Sequence, residues 1–458
     1  MKVIVCGAGQ VGYNIARNLA GENNDVVVID QSVELIQKVN ETLDVQGLVG
    51  FASYPDVLEK AGAGDTDMIV AVTQADEVNM VACQVAHSMF SVPTKVARVR
   101  AQNYLNPLWA HLFSRDHMPI DVIISPEVEV AHAIRRRLDV PGALEVIPFA
   151  DDRVRLIGVH LDENCPVINT PFRQLGELFP DLNIVVVGII RDGKIQVPKG
   201  SDQMLPGDDV YFISDTSHVE RAMVAFGHEE PATRRMVIIG GGNIGLFLAE
   251  EIEHLHPDVR IKIIDADKNR AEYIAERLHR TVVLHGDGMD PEILREANVQ
   301  ASEAIVAVSD DDEVNILSSL LAKREGCQRA ITLVNNTTYG PLVGSIGIDV
   351  VIEPRATTVS TILQHVRRGR IRALHRLRDG IAEVIEAEAM ETSDLVGKPL
   401  SEIHLPGGIV VGAIVRENEV VLPRGDSIIQ AHDRVIIFTV SDMVKTVEKM
   451  FSVQLEFF

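Results

Sequence analysis

The chain has 458 residues, of which 46% are hydrophobic, 24% are charged and only 4% are aromatic, as expected for about three average soluble globular domains. Its formal net charge of -23 opposes binding to nucleic acid phosphates and to anionic lipid head groups. Such an acidic chain indicates either a salt-tolerant organism or a protein that docks on a basic partner, such as the cytoplasmic loops of a membrane protein.

Four cysteines lie far apart, without a CxxC pair or a neighbouring histidine cluster: Cys6, Cys83, Cys165 and Cys327. They predict reduced thiols in a cytosolic protein and argue against a structural zinc site. We predict no metal site elsewhere, since the acidic run 310–312 is typical of a solvated loop. No apolar run approaches the ~20 residues of a membrane-spanning helix. No signal peptide is expected, because the first residues run directly into a glycine loop.

The first predicted domain, residues 1–124, opens with an apolar run, the glycine-rich segment Gly7–Gly12 and a helical stretch. Further apolar runs end at Asp30 and Thr73, and another spans Val96–Val99. Strands that alternate with helices predict a doubly wound parallel sheet of the Rossmann type. The glycines suit a pyrophosphate at a helix N-terminus, and Asp30 suits ribose hydroxyls while it repels a 2′-phosphate. NAD or an adenine nucleotide therefore fits, and NADP does not.

Ligands of open α/β sheets bind at the carboxyl ends of the strands, which directs attention to Thr73, Gln74 and Arg98. A charged residue inside a buried strand is costly unless it is paired. A ligand phosphate and an internal salt bridge are two possible partners for Arg98, and the phosphate is favoured.

The second predicted domain, residues 125–228, begins with a crossover helix. Ser125, Pro126 and Glu127 match an N-cap, a first-turn proline and a first-turn acid. Short strands separated by Pro, Gly and Asp turns then predict a small α+β domain. The segment 227–231 is the most linker-like stretch of the chain.

The same plan repeats in the predicted domains 232–352 and 353–458. The segment Ile69–Asn79 matches Ile305–Asn315 at eight of eleven positions, and the glycine segment recurs as Gly240–Gly245. Asp265 corresponds to Asp30. A second crossover helix follows Pro354, with Val359, Ile362, Leu363 and Val366 on one face.

The two halves differ at two ligand-facing positions. Leu333 corresponds to Arg98, so the second site should depend less on phosphate charge. Asp287 follows the third strand of the second half, where the first half has Phe51, and it could contact a nucleotide or cap a helix. An arginine-rich stretch at 367–378 is more typical of pairing with acids across an interface than of membrane binding.

Together these features resemble the family of Trk potassium-uptake regulators, built from domains that regulate the conductance of potassium (RCK domains). The resemblance covers essentially the whole chain. It implies a non-enzymatic subunit that binds NAD(H) or ATP/ADP, on the cytoplasmic face of the inner membrane, with a TrkH- or TrkG-type potassium transporter as partner. It also implies a homo-oligomer, with four copies forming a ring of eight Rossmann domains.

The resemblance and the motifs together give two sets of candidate nucleotide-binding residues. The first set is Gly7, Ala8, Gly9, Gln10, Val11, Gly12, Asp30, Thr73, Gln74 and Arg98. The second set is Gly240, Gly241, Gly242, Asn243, Ile244, Gly245, Asp265, Asp287 and Ser309. We predict no catalytic residue, because no acid/base constellation stands out. An NAD-dependent oxidoreductase and a soluble nucleotide sensor without a membrane partner are the competing interpretations.

Overall fold

A computed structural model describes residues 1–21, 24–179, 182–230, 232–336, 338–339, 342–343, 346–366, 371–377 and 381–451. The arginines at 367, 368, 370 and 378, and the linker residue Pro231, lie outside these ranges. No helix within them is long and apolar enough to cross a membrane.

The first sheet has six parallel strands in the order β3-β2-β1-β4-β5-β6. Its elements are β1 (Lys2–Cys6), α1 (Gln10–Gly21), β2 (Asp25–Asp30), α2 (Val33–Thr42), β3 (Gln46–Val49), α3 (Pro55–Lys60), β4 (Met68–Ala71), α4 (Asp76–Phe90), β5 (Thr94–Arg98), α5 (Gln102–Leu105) and β6 (Val122–Ile124). The central strands are continuous apolar runs because helices cover both faces of the sheet.

The second sheet is antiparallel, in the order β10-β9-β11-β8-β7. The elements of this region are α6 (Pro126–Asp139), β7 (Ala143–Phe149), β8 (Val154–His160), α7 (Phe172–Leu178), β9 (Ile184–Arg191), β10 (Lys194–Gln196), β11 (Asp209–Asp215) and α8 (Val219–Ala225).

The second half repeats both sheets, with strand orders β14-β13-β12-β15-β16-β17 and β18-β19-β22-β20-β21. Its elements are β12 (Arg235–Ile239), α9 (Asn243–Leu255), β13 (Arg260–Asp265), α10 (Lys268–Arg277), β14 (Val282–His285), α11 (Pro291–Glu296), β15 (Ala304–Ala307), α12 (Asp312–Glu325), β16 (Arg329–Leu333), β17 (Val350–Ile352), α13 (Pro354–Val366), β18 (Ile371–Leu377), β19 (Ala382–Glu388), β20 (Ile409–Arg416), β21 (Glu419–Val421), β22 (Arg434–Val440) and α14 (Val444–Phe451).

The predicted fold class is confirmed: two Rossmann-like sheets, each followed by a small α+β domain. The fourth strand of each Rossmann sheet ends two residues earlier than expected, at Ala71 and Ala307. The chain leaves each strand there because the polar residue at the predicted end of the strand hydrogen-bonds to the side chain of a helix residue. The exact domain boundaries stay a prediction.

The crossover helices exchange partners between the halves. Helix α6 of the first half buries Val130 and Ile134 in the core of the second Rossmann sheet. Helix α13 of the second half buries Ile362 and Leu363 in the core of the first, beside Leu19. The side chain of Val366, predicted on the same face, is outside the described set. Each Rossmann core is therefore completed by a helix from the other half, so neither half closes its core alone.

The two small domains also share a core. A side-chain atom added at Gly188 would strike Phe438, so the first antiparallel sheet packs directly on the second. At the edge of this contact the buried carboxylate of Glu386 accepts from the backbone N–H of Ala150 at 2.9 Å and from Arg434 Nε at 2.6 Å. Arg434 also pairs with Asp151 at 2.6 Å. The apolar contact and the ionic cluster hold the halves as one body.

All four cysteines are free thiols, as predicted, and all four are buried. Burial raises the pKa of Cys83 to about 12 and that of Cys327 to about 11, and it raises the pKa of Cys6 as well. These thiols are therefore packing groups and not reactive groups.

Candidate functional site

The first glycine loop connects β1 to α1 and is held against the ends of the neighbouring strands. Gly7 has φ +109°, and a Cβ there would lie 3.1 Å from Thr73 N. A Cβ at Gly12 would overlap the carbonyl oxygen of Gly7, so only glycine lets α1 pack this close. Around Gly9 the space is open to 4 Å. The loop thus exposes its backbone at the point where a phosphate would approach.

Asp30, the last residue of β2, lies directly beside this loop. Its Oδ2 accepts from the backbone N–H of Ala8 at 2.6 Å, and its Oδ1 accepts from the N–H of Ser32 at 2.8 Å. Each oxygen keeps a second lone pair for a ligand hydroxyl. The carboxylate is therefore held in one orientation by the backbone before any ligand arrives.

Asn79, a buried residue of α4, links the ends of β4 and β5. Its Oδ1 accepts from Thr73 N at 2.8 Å and from Thr73 Oγ1 at 2.7 Å. Its Nδ2 donates to the carbonyl oxygen of Arg98 at 2.9 Å. This bonding turns the chain out of β4 and explains the early end of the strand.

Arg98 extends from the end of β5 towards the same place. Its Nη2 donates to the carbonyl oxygen of Thr73 at 2.6 Å, while its Nε is buried and has no partner among the described residues. Burial, with Arg100 nearby, lowers the pKa of Arg98. The internal partner of Arg98 is thus a neutral carbonyl, not the carboxylate of a salt bridge, and one buried donor is left over.

The second glycine loop repeats the first. Gly240 has φ +96°, and a Cβ at Gly245 would overlap the carbonyl oxygen of Gly240. Asp265 accepts from the N–H of Gly241 at 2.7 Å and from that of Asp267 at 2.8 Å. Gly242, like Gly9, has open space around it.

The strand ends of the second site also follow the first, without the arginine. Asn315 accepts from Ser309 N and from Ser309 Oγ, each at 2.8 Å, and donates to the carbonyl oxygen of Leu333 at 3.1 Å. Leu333 is 2% exposed and forms part of the apolar core.

A different arginine reaches the second loop. Arg270, in the first turn of α10, donates from Nε to the carbonyl oxygen of Gly241 at 2.6 Å and lies over the ring of Tyr273. Its counterpart in the first half is Leu35. The second site therefore also has a cation beside its glycine loop, supplied by a helix and not by a strand. Sequence reasoning missed it, because an arginine in a helix gives no signal of what it faces.

Most of the predicted residues come together at two strand edges, one in each half. The first edge brings together the first glycine loop, Asp30, Thr73 and Arg98. The second edge brings together the second glycine loop, Asp265 and Ser309. Gln74 and Asp287 are exposed beside them. Asp287 Oδ1 accepts from the N–H of Met289 at 2.9 Å, so part of this carboxylate closes a turn.

The repeated segment contains further residues that sequence reasoning did not single out. Asp76 accepts from the N–H groups of Arg100 and Ala101, at 2.9 and 2.7 Å, and Asp312 accepts from Asn335 and Asn336, both at 2.8 Å. These acids fix the loop after the fifth strand. The same residue type stands at this position in both halves, and that repetition could have revealed these acids from the sequence. The same is true of Asn79 and Asn315.

The start of α6 differs from the prediction in one detail. Ser125 occupies the N-cap position, but its hydroxyl caps no backbone group and is buried without a partner among the described residues. Glu127 in the first turn pairs instead with Arg100 at 2.8 Å. The crossover helix is thus tied to the loop beside the first site by an ion pair.

In the acidic run 310–312, Asp310 and Asp311 are exposed as expected for a solvated loop, but Asp312 differs from the prediction because it is buried and begins α12. Asp311 caps α12 by accepting from Val314 N at 2.9 Å. Across the described ranges, no group of three or more His, Cys, Asp or Glu residues is arranged to hold a metal ion.

Comparisons with known proteins agree with this architecture. The TrkA-N domain model matches residues 3–126 and 236–354, and the TrkA-C domain model matches residues 156–227 and 384–452. The crystal structure of the GsuK RCK domain has a TM-score of 0.59 at 17% identity and covers 98% of this chain and 94% of that chain. The GsuK channel has a TM-score of 0.60 at 17% identity and covers 98% of this chain and 78% of that chain. These structures support the fold.

Several relatives match along the full length, each named "Trk system potassium uptake protein TrkA". The protein from Azorhizobium caulinodans is 52% identical, with 100% of both chains covered. Those from Halomonas elongata and Vibrio alginolyticus are 42% and 39% identical, with 100% and 98% of both chains covered. These relatives are named as potassium uptake proteins, which confirms the prediction of a non-enzymatic protein of potassium transport and does not support the oxidoreductase alternative. The chain belongs to the TrkA family of Trk system potassium uptake proteins.

Proposed function

We propose that this chain is a nucleotide-responsive regulatory subunit that binds, at the cytoplasmic face of the inner membrane, to a Trk-type potassium transporter. One observation carries the proposal. Each half holds a glycine loop, open at its central glycine, beside an aspartate that the loop's own backbone orients, as Asp30 and Asp265 show.

The ligand class follows from this geometry. Open space at Gly9 and Gly242 suits phosphate oxygens at the N-termini of α1 and α9. Asp30 and Asp265 suit a free ribose 2′-hydroxyl and oppose a 2′-phosphate. NAD(H) and ATP or ADP therefore fit, and NADP does not. A structure of the GsuK channel with TM-score 0.59 is described as bound to NAD, in agreement with this ligand class.

Arg98 gives the first site a reason to prefer a phosphate-rich ligand. Its buried, unpartnered Nε would find an acceptor in a phosphate oxygen, which offsets the desolvation of the guanidinium. At the second site the cation Arg270 contacts the loop, although it already donates to Gly241. The sites should thus respond differently to the number of phosphates.

The partner is a transporter of the TrkH or TrkG type. The net charge of -23 would complement the Lys- and Arg-rich cytoplasmic loops of such a protein. Four copies of this chain would supply eight Rossmann domains for a ring beneath the transporter.

The exchanged crossover helices supply the coupling. A nucleotide shifts a conformational equilibrium only by its different affinity for the two states. Because α6 begins at the first site and packs on the second Rossmann core, a change at one loop would move elements of both halves.

A direct test is calorimetry with ATP, ADP, NADH and NADPH, followed by binding of the chain to purified transporter at low and high salt. We expect adenine nucleotides to bind and NADPH to fail, and we expect the contact with the transporter to weaken as salt screens it. The D30A/D265A double variant is the control, and it should bind nucleotide roughly 10- to 150-fold more weakly at each site. Absence of nucleotide binding to the wild-type chain would disprove the proposal.

A further inference from the structure

An exposed pair of aromatic rings lies at the edge of the first site. The rings of Phe51 and Tyr54 stack with centroids 5.1 Å apart and planes 25° apart. Phe51 is 48% exposed and Tyr54 is 52% exposed. Large apolar side chains that lie exposed side by side mark a surface on which a ligand or another chain binds.

The fold itself gives no reason for these rings. Tyr54 stands at the N-cap of α3, yet its side chain caps nothing. At the equivalent position of the second half, Asp290 caps α11 by accepting from Glu292 N at 2.8 Å. Where Phe51 stands, the second half has Asp287, which closes a turn. The first half thus has aromatic rings at two positions where the second half has acids with structural roles.

The position of the pair follows the order of parts in a nucleotide. The glycine loop follows β1, Asp30 ends β2, and Phe51 follows β3, in three adjacent strands of one sheet. The N–H of Gly50 donates to the carbonyl oxygen of Asp30 at 2.9 Å, so Phe51 lies one residue beyond that contact. With phosphates at the first strand and ribose at the second, the base extends towards the third, about 5 Å further along the sheet.

We propose that Phe51, backed by Tyr54, is the platform on which the base of a nucleotide stacks in the first site. This inference rests on the proposed function and specifies how the site reads its ligand. Stacking uses the π-face that every base has, and phenylalanine has no hydrogen-bonding group with which to tell bases apart. The first site therefore accepts adenine and guanine nucleotides alike.

The second site is selective where the first is tolerant. Asp287 is exposed at the corresponding position, and an ionised carboxylate can only accept hydrogen bonds. We place the 6-position of the purine opposite this carboxylate, where it accepts from the exocyclic amino group of adenine and repels the carbonyl oxygen of guanine. One chain thus combines a general nucleotide site with an adenine-specific site.

The test is calorimetric titration of the full chain with ATP and with GTP, with each site isolated in turn. D265A isolates the first site and D30A isolates the second. We expect the first site to bind ATP and GTP within about threefold of each other, and the second to prefer ATP by tenfold or more. F51A should weaken both nucleotides at the first site roughly 5- to 150-fold, the range typical of base–aromatic stacking.

Matched variants separate stacking from bulk and from folding. F51W keeps an aromatic face and should retain affinity, whereas F51L keeps apolar volume without a ring and should lose it. F51D should make the first site reject GTP. Because Phe51 is half exposed, none of these changes should lower the unfolding temperature.

Two outcomes would overturn the inference while the proposed function stands. One is a first site that binds ATP equally well with F51A or F51L. The other is a wild-type first site that rejects GTP as strongly as the second does. In the first case, a changed molar mass of F51A in sedimentation would assign the rings to a contact between chains. If neither ATP nor NADH binds the wild-type chain at all, the proposed function itself fails.

Discussion

Replacing Arg98 with leucine, the residue that the second half carries at Leu333, should change stability and affinity in opposite directions. The buried Nε of Arg98 has no partner among the described residues, and such a donor costs about 1–3 kcal/mol. Its charged Nη2 bond to the carbonyl oxygen of Thr73 returns about 1.5–3 kcal/mol, and Asn79 also donates to that oxygen at 3.2 Å. Burial also desolvates the charged guanidinium. The variant without nucleotide should therefore be more stable by about 1 kcal/mol, which raises the unfolding temperature of this 458-residue chain by roughly 1 °C.

Nucleotide binding should suffer in the same R98L variant. Loss of a charge-assisted bond to phosphate removes about 1.5–3 kcal/mol, which weakens ATP binding at the first site roughly 10- to 150-fold. Calorimetry in the D265A background measures the affinity, and thermal unfolding measures the stability. R98K, which keeps the charge but not the planar fork, is the matched control. Its affinity for ATP should lie between those of the wild-type chain and R98L. Unchanged ATP affinity, or an unfolding temperature lowered by several degrees, would refute this account of Arg98.

Three further predictions follow from single contacts. D30A should weaken ATP or NADH binding at the first site roughly 10- to 150-fold by calorimetry, since a charged acceptor is lost; equal affinity would contradict the ribose assignment. N79A should lower the free energy of unfolding in urea by about 2–3 kcal/mol, because Thr73 N loses its acceptor. Q37A, which alters an exposed amide, should change the free energy of unfolding by less than about 0.5 kcal/mol. Equal effects of N79A and Q37A would refute the buried role of Asn79. The four thiols should not react with Ellman's reagent at pH 8 until the chain is unfolded. Burial raises their pKa values, that of Cys83 to about 12, and so keeps the thiols protonated. Rapid labelling of the native chain would show that the core is open to solvent.

The sequence was informative where function requires special backbone geometry. Gly7 and Gly12 are needed for a left-handed turn and a close helix contact, so their spacing predicted both the strand–turn–helix unit and its ligand. The repeat of this unit at Gly240 then predicted the second sheet. Asp30 and Asp265 were predicted as ribose ligands because an acid at a strand end, about 20 residues after a glycine loop, has a specific chemical use.

Long-range placement could not be predicted in the same way. The apolar face of α13 predicted burial, but a hydrophobic stripe does not specify which core covers it, and the exchange of α6 and α13 between halves was not foreseen. The partner of Arg98 is a backbone carbonyl, which leaves no trace in the side-chain sequence. Arg270 was overlooked for a similar reason, since its role depends on the direction in which α10 packs.

The central claim is that nucleotide binding to this chain controls potassium transport. The most direct test is potassium uptake at limiting external potassium in a strain deleted for this gene and complemented with either the wild-type chain or the D30A/D265A variant. The variant is first shown by calorimetry to be folded and unable to bind nucleotide at either site. We predict that deletion abolishes uptake, that the wild-type chain restores it, and that the variant does not. Normal uptake in the deletion strain, or full rescue by the variant, would contradict the account.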